Sequence, residues 1–382
     1  MLNPDRPAQA GNNRKPLRDP ARSALDALVE RLLASGQDVE RLAHVRWIEA
    51  EWEQTRRNYL PPAPAVEREP HVLPLPGRTA FEHTWSFSAL IRPRSASLHE
   101  EAPADDERSV EATLLEDFDA TATLEAAPIS APHPALLELA TLRGPEFGNA
   151  LHTMFETRRI GMPLAEQRDL VRRALRAEGV RLGEMPLDTA LTRIAARLDA
   201  ALAAELAPGL RLGAVGARQQ RAEMAFHFVL DAVSVKRLGE VCAQHGEAAL
   251  VPADIPSTTL RGLMTGKIDL VFEHAGRFHV LDYKSNDLGS RLDAYLPEAL
   301  GVAMDVHHYR FQALLYTIAV DRYLRQRIPG YRRDRHLGEA IYLFVRAVGL
   351  APGAGVWRHR FDAALLDAVD AVFGARSMGA AA

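Results

Sequence analysis

The sequence has one cysteine, no long apolar run and no surplus of positive charge. Cys242 alone excludes an internal disulfide framework and any zinc or iron–sulfur site built from several cysteines of this chain. No segment approaches the roughly 18 uninterrupted apolar residues of a membrane-spanning helix, and the polar, proline-broken N-terminal residues do not resemble a secretion signal. We therefore expect a cytoplasmic protein without a membrane partner.

The formal net charge is −4, from 46 basic and 50 acidic residues, whereas nucleic-acid-binding proteins usually carry a basic surplus or stripe. The charges are unevenly placed, however. Acidic residues crowd between 100 and 119, and arginines crowd at the following six positions: Arg322, Arg325, Arg327, Arg332, Arg333 and Arg335. This arginine cluster is a candidate DNA track, and a solvated face without specific function is the alternative.

The chain is long enough for more than one core, at 382 residues and 47% hydrophobic. Residues 21 to 58 show the periodicity of two amphipathic helices, and a short segment from Trp85 to Leu90 has the composition of ordered structure. Residues 93–133 are acidic and rich in Ala, Pro and Ser, which is typical of a flexible linker. These features predict a smaller helical N-terminal region over 1–92, an acidic linker over 93–133 and a main domain over 134–376.

Dense periodic structure begins near Gly144. Helical spacing continues to about residue 206, residues 222 to 231 alternate as a strand, and residues 266 to 284 form the clearest hairpin. A helix is predicted over 305–327, with its buried side carrying Phe311, Leu314, Leu315, Ile318 and Tyr323, and a buried strand over 340–345. Helices that flank a mixed sheet make the predicted fold class α/β.

The hairpin brings acidic residues together. If Ala275-Gly276 is a two-residue loop, antiparallel pairing places Asp269 directly across from Asp282. Period-two alternation then puts Lys284 on the same face, whereas a bulge would shift this register by one residue. The opposite face would carry Ile268, Leu270, Phe272, Leu281 and Tyr283.

Two directly opposed carboxylates repel each other unless a cation lies between them. Magnesium prefers hard oxygen ligands from one or two carboxylates and leaves positions for water and a substrate phosphate. Such an ion generates a hydrolytic nucleophile, and Lys284 could stabilise charge developing at phosphorus. The alternative is a surface hairpin with scattered charges.

Two helices carry polar pairs one turn apart. His152 and Glu156 lie next to an apolar stripe, and Gln312 and Tyr316 repeat the spacing on a later helix. A histidine beside an apolar face is often a core group with satisfied hydrogen bonds. Together with the hairpin, these pairs favour a functional site.

The motifs Gly148-x-x-x-His152-x-x-x-Glu156, Gly266-x-Ile268-Asp269, Leu281-Asp282-Tyr283-Lys284-Ser285-Asn286 and Gln312-x-x-x-Tyr316 together resemble a known family. They are similar to the nuclease domain of exodeoxyribonuclease V beta subunits (RecB), within the PD-(D/E)XK nuclease superfamily. The resemblance covers about residues 144 to 350. It implies a restriction-endonuclease-like mixed sheet, with residues 1–92 similar to the end of a helicase region.

The resemblance also implies roles for individual residues. His152, Asp269, Asp282 and the carbonyl of Tyr283 are similar to the family's metal ligands, and Lys284 resembles its catalytic lysine. Supporting or DNA-contacting roles are implied for four further residues: Glu156, Glu223, Gln312 and Tyr316. A solvated strand edge is the alternative for Glu223, and plain helix packing is the alternative for Gln312 and Tyr316.

The sequence departs from full-length beta subunits because it lacks the phosphate loop Gly-x-x-x-x-Gly-Lys-Ser/Thr. The nearest match to this loop has three residues between its two glycines, where the loop requires four: Gly262-Leu263-Met264-Thr265-Gly266-Lys267. We therefore expect no ATP site. The chain resembles only the C-terminal end of such a protein, and we expect it to be either a fragment or a shortened gene product.

The expected function is a magnesium-dependent DNA nuclease, an exonuclease acting in DNA end processing and recombinational repair, with Mn²⁺ as a possible substitute for Mg²⁺. The expected partners are DNA and the other exodeoxyribonuclease V subunits. A catalytically idle module that holds DNA or a partner subunit is the alternative function.

Overall fold

A computed structural model of the chain describes residues 84–91, 131–253, 255 and 259–374. The helices predicted over 21–58 and nearly all of the predicted linker over 93–133 lie outside these residues. The domain boundaries drawn from the sequence therefore stay predictions.

One mixed sheet of six strands forms the centre of the fold. Its strands, together with the separate β2–β3 ribbon, are β1 Thr84–Trp85, β2 Glu205–Ala207, β3 Leu210–Arg211, β4 Gln220–Ser234, β5 Thr259–His274, β6 Arg277–Lys284, β7 Leu337–Phe344 and β8 Val356–His359. The long strand β5 pairs with β4 along one edge and with β6 and β1, at different levels, along the other edge, and the sheet continues from β6 through β7 to β8. The pairs β1/β5 and β6/β7 are parallel, and the remaining pairs are antiparallel.

Helices cover both faces of this sheet. They are α1 Phe87–Ile91, α2 Pro134–Leu137, α3 Pro145–Thr157, α4 Arg168–Ala177, α5 Leu187–Ala203, α6 Val235–Gln244, α7 Pro297–Val306, α8 Tyr309–Arg327, α9 Arg333–His336 and α10 Ala363–Val372. None of the helices in the described ranges combines the length and the apolar character needed to cross a membrane.

Each face of the sheet has its own hydrophobic core. Helices α3, α4 and α5 pack over one face, which we call the α3 face; its strand residues include Leu270, Leu281, Tyr283, Ile341 and Leu343. Helices α6, α7, α8 and α10 pack over the opposite α8 face, whose strand residues include Met264, Ile268, Val280, Tyr342 and Phe344. The resulting α/β/α layering confirms the predicted fold class, a restriction-endonuclease-like mixed sheet flanked by helices.

The strand predicted over 222–231 lies inside β4, and the strand predicted over 340–345 coincides with β7 up to its end at Phe344. The helix predicted over 305–327 is confirmed over Tyr309–Arg327, but its predicted start is wrong. His308, with φ of 58°, adopts a left-handed conformation that ends α7 and precedes α8. Tyr323 was predicted on the buried side of α8, but it is 44% exposed.

The segment from Thr84 to Ile91 belongs to the same structure as the main sheet. Thr84 and Trp85 pair in parallel with Leu263 and Met264 of β5, and Phe87 of α1 packs into the core of the α8 face. This segment was predicted as part of the N-terminal region over 1–92. The core of the main unit therefore includes residues that precede the predicted linker.

Candidate active site

The β5–β6 hairpin has the predicted register. Ala275 and Gly276 have φ of 50° and 75°, as a two-residue type I′ loop requires. The ladder runs from His274↔Arg277 to Leu270↔Leu281. Asp269 and Asp282 occupy the next position on each strand, where the Oδ2 atom of Asp269 accepts a hydrogen bond from the backbone N–H of Tyr283 at 2.8 Å.

The predicted distribution of side chains between the two faces is correct for β6 but wrong at Ile268. Tyr283 packs on the α3 face, whereas Lys284 reaches Asp282. Ile268 packs on the α8 face and Leu270 on the α3 face, although both were predicted together. The alternation of β5 thus breaks at Asp269.

The neighbouring strand β4 breaks its alternation at the same level. Ala222 packs on the α3 face, Met224 packs on the α8 face, and Glu223 between them has φ of 49°. The flanking pairs Ala222↔Leu270 and Met224↔Ile268 place Glu223 across from Asp269. A non-glycine residue in this conformation is uncommon and costs local free energy, and such residues cluster at functional sites.

Helix α3 brings His152 to this point. The Nδ1 atom of His152 lies 3.1 Å from Oδ2 of Asp269. Burial disfavours the ionised form of Asp269, but His152, Lys284 and the Tyr283 N–H together outweigh it and hold the pKa of Asp269 below its usual value. Asp269 is therefore a carboxylate in this environment.

Close packing fixes α3 against β6. The ring of Phe155 stacks on the ring of Tyr283, with centroids 3.9 Å apart and planes 2° from parallel. A Cβ atom on Gly148 would lie 3.1 Å from Oγ of Ser285, so glycine allows the helix its close approach to the strand end. Burial raises the pKa of Tyr283, which keeps this phenol neutral.

Arg346 also fixes the start of α3, and sequence reasoning missed it. Its guanidinium donates to the carbonyl oxygens of Ser285 at 2.7 Å, Leu139 at 2.8 Å and Leu142. These bonds join the end of β6 to the segment that leads into α3. A lone arginine inside the apolar run that follows β7 was the available signal.

Lys284 lies buried next to Asp282. The Nζ atom of Lys284 is 2.8 Å from Oδ2 of Asp282, and the two side chains are 5% and 4% exposed. Nζ also donates to Oε1 of Gln312 at 3.2 Å and lies 4.0 Å from the ring centroid of Tyr309, within cation–π range. The ammonium is thus held in one place by an anion, an amide and an aromatic ring.

The helical pair Gln312 and Tyr316 lies behind this lysine. The Nε2 atom of Gln312 donates to the Tyr316 hydroxyl at 3.2 Å, and the Tyr342 hydroxyl donates to Oε1 of Gln312 at 3.0 Å. Sequence reasoning missed Tyr342. The signal was a single tyrosine in the otherwise apolar run from Ala340 to Val345, because a buried phenol needs a hydrogen-bond partner.

Glu156 and Glu223 lie next to residues of the site on α3 and β4. Glu156 lies one turn after His152 and is exposed, and Glu223 is half-buried on β4. Their predicted supporting roles stay predictions, as do the roles of the other site residues.

The donor atoms suit a hard divalent cation. Asp269 and Asp282 supply carboxylates from the adjacent strands β5 and β6, which are joined here by the hydrogen bond from the Tyr283 N–H to Asp269. His152 adds an imidazole. Within the described ranges, no three His, Cys, Asp or Glu side chains already converge on one point. The carboxylate oxygens instead face His152 and Lys284, so binding of an ion requires these contacts to rearrange.

The arginine cluster is largely neutralised by acids. Asp321 pairs with Arg325 and Arg333, and Asp370 pairs with Arg322 and Arg325. Arg322, Arg325 and Arg333 thus hold the end of α8 against α10, which gives these three arginines a structural role. The DNA track stays a prediction.

Comparison with known proteins identifies the family of this domain. The family model of the PD-(D/E)XK nuclease superfamily matches residues 129–376. The chain is 35% identical over 234 residues to the RecBCD enzyme subunit RecB of Escherichia coli (strain K12), an alignment that covers 60% of this chain and 19% of that protein.

Two other RecB subunits show similar relationships. That of Haemophilus influenzae is 43% identical over 114 residues, which cover 30% of this chain and 9% of that protein. That of Mycobacterium tuberculosis (strain CDC 1551 / Oshkosh) is 31% identical over 306 residues, which cover 72% of this chain and 27% of that protein. The chain thus matches at most about a quarter of the length of these relatives. With the matched residues spanning the mixed sheet and both site helices, the chain belongs to the PD-(D/E)XK nuclease superfamily and carries a RecB-like nuclease domain.

Proposed function

We propose that this chain hydrolyses phosphodiester bonds in DNA with Mg²⁺, acting as an exonuclease on DNA ends in recombinational repair. The observation that carries the proposal is the buried Lys284–Asp282 pair on β6 beside the Asp269–His152 pair. The N–H of Tyr283, the residue after Asp282, donates to Asp269 and so joins the two pairs. The superfamily membership supports the reaction class.

The metal ligands in this proposal are His152, Asp269, Asp282 and the carbonyl oxygen of Tyr283. When bound, the ion supplies Lewis acidity and lowers the pKa of a coordinated water. Mn²⁺ offers the same preference for oxygen ligands and is expected to substitute.

Lys284 stabilises the negative charge that develops on the phosphoryl oxygens during attack by water. Its contacts with Gln312 and the Tyr309 ring do not involve the proposed metal ligands, so they hold Nζ in place when Asp282 turns to the ion. His152 lies 3.1 Å from the Asp269 carboxylate, so these two donor groups are close together where the ion would bind. Gln312 and Tyr316 support Lys284 from behind.

The proposed partners are DNA and the remaining subunits of a RecBCD-like enzyme. DNA contact through phosphates gives weak sequence preference and strong salt dependence. We further propose that cleavage by this chain does not require ATP.

The test is release of acid-soluble nucleotides from linear single- and double-stranded DNA, with Mg²⁺ or a chelator and with ATP added separately. The native chain should cleave with Mg²⁺ and not with chelator, and Asp282→Ala should be inactive. Absence of cleavage by a folded native chain would contradict the proposal and favour a noncatalytic module that holds DNA or a partner subunit.

A further inference from the structure

A buried hydrogen-bond network joins Lys284 to strand β7. The Oε1 atom of Gln312 accepts from two donors, Nζ of Lys284 at 3.2 Å and the hydroxyl of Tyr342 at 3.0 Å. Gln312 and Tyr342 are both 0% exposed. Inside a core, each of these bonds is electrostatically stronger than it would be in water.

The chemistry of the neighbours determines the orientation of the Gln312 amide. An ammonium can only donate, so it must face Oε1 and not the NH₂ group. The NH₂ group then faces the Tyr316 hydroxyl, which accepts from Nε2 at 3.2 Å. The Tyr342 hydroxyl is the second donor to this oxygen, so it holds Oε1 at the position where it accepts from Lys284.

The position of the Tyr342 hydroxyl is itself fixed. Tyr342 lies opposite Asp282 in the parallel β6–β7 register. Its ring contacts the ring of Trp357 edge to face, with centroids 5.7 Å apart, and lies 5.6 Å from Nζ of Lys284. The strand that supports Asp282 therefore also supports the group that orients Gln312.

We propose that Tyr342 is a positioning residue for the reaction, because its hydroxyl holds the Gln312 amide oxygen in place and this oxygen holds Lys284. This inference rests on the proposed nuclease function. Since Tyr342 is buried away from solvent, it acts on the chemical step and not on DNA binding.

The test compares the native chain with Tyr342→Phe, Gln312→Leu and the double variant, measuring kcat and KM for linear DNA together with urea unfolding. Tyr342→Phe keeps the ring and removes only the hydroxyl. It should lower kcat about tenfold, in line with loss of one hydrogen bond near a charged group, and leave KM within about twofold. In the Gln312→Leu background the same change should have no further effect on kcat.

Tyr331→Phe is the matched control. The Tyr331 hydroxyl bonds to Oδ1 of Asp321 at 2.6 Å near the other end of α8. This variant loses a tyrosine hydrogen bond of the same helix and should lower stability without changing kcat. If Tyr342→Phe is too unstable in buffer, the same kcat comparison is made with all variants in a stabilising osmolyte such as sucrose.

The outcomes separate the two proposals. Absence of cleavage by the native chain contradicts the proposed function itself. Native cleavage with unchanged kcat in Tyr342→Phe overturns the positioning role, as do independent, multiplicative losses in the double variant.

Discussion

The backbone N–H of Tyr283 donates to Oδ2 of Asp269 at 2.8 Å, where a regular ladder would pair two backbones. The peptide between Asp282 and Tyr283 is thereby tied to the carboxylate of the adjacent strand. The same oxygen lies 3.1 Å from Nδ1 of His152. The Asp269 carboxylate thus connects the hairpin to helix α3. Because it also holds the peptide that follows Asp282, its position affects both proposed acidic ligands.

Replacing Asp269 by Asn should separate the structural role from the metal-binding role. Asn keeps an oxygen that can accept from the Tyr283 N–H, so the fold should be retained. It lacks the negative charge, and Mg²⁺ affinity measured by calorimetry should fall about tenfold or more. Asp169→Asn is the control, because Asp169 pairs with Arg172 on the surface of α4. Unchanged affinity in Asp269→Asn would remove Asp269 from the ligand set.

The sequence predicted that Asp269 and Asp282 occupy opposing positions of the hairpin, because a two-residue loop fixes the register of its strands. It could not predict that Ile268 and Leu270 face opposite cores. That reversal coincides with the left-handed conformation of Glu223 on the next strand, and no local pattern in β5 encodes a distortion that depends on its neighbour.

Gly266 belongs to one of the motifs that resemble the family, and the packing around it explains why this position is a glycine. A Cβ atom at this position would lie 2.7 Å from the ring of Phe226, its partner on β4. The Phe226 ring in turn contacts Tyr316 edge to face, with centroids 5.7 Å apart. Gly266→Ala should therefore displace Phe226 and lower the free energy of unfolding by about 1–3 kcal/mol.

Urea unfolding measures this effect, with Gly239→Ala as the control. A Cβ atom on Gly239 would meet only Val251, at 3.9 Å, and Gly239 lies inside helix α6. That variant should gain up to about 1 kcal/mol from helix propensity. Equal stabilisation in both variants would contradict the close packing of Phe226 on Gly266.

His279 should make stability depend on pH. Burial lowers its pKa to about 4, its ring stacks on Phe272, and its Nδ1 accepts from the backbone N–H of Glu339 at 3.2 Å, which requires the neutral form. The unfolded chain binds this proton near pH 6.5 and the folded chain only near pH 4. The contribution of His279 is therefore complete above pH 6.5 and is lost as pH falls toward 4.

The measurement is the free energy of unfolding at pH 7 and pH 5 for the native chain and His279→Gln. The native chain should lose about 2 kcal/mol more than the variant over this interval. Other titrating groups, including His307, whose pKa burial also lowers to about 4, cancel in the comparison. Equal losses in the two proteins would show that His279 does not remain neutral in the fold.

The sequence predicted the charged residues of the site but not all of the residues that hold them in place. Gln312 was found from its spacing to Tyr316, whereas Tyr342 and Arg346 come from strand β7 and the loop after it. Their partners are distant in sequence, so spacing gives no signal. The ion pairs that Asp321 and Asp370 make with the arginine cluster were not predicted either, because they depend on how α8 packs against α10.

The most direct test of the central claim is the cleavage rate of Lys284→Ala. Because Lys284 is proposed to act in the chemical step, with saturating Mg²⁺ this variant should cleave linear DNA at least about 100-fold more slowly while remaining folded. Lys236→Ala is the control, because Lys236 is an exposed lysine of α6 that pairs with Glu240, and it should cleave at the native rate. If Lys284→Ala cleaves as fast as the native chain, Lys284 is not the catalytic lysine and the proposed site is wrong.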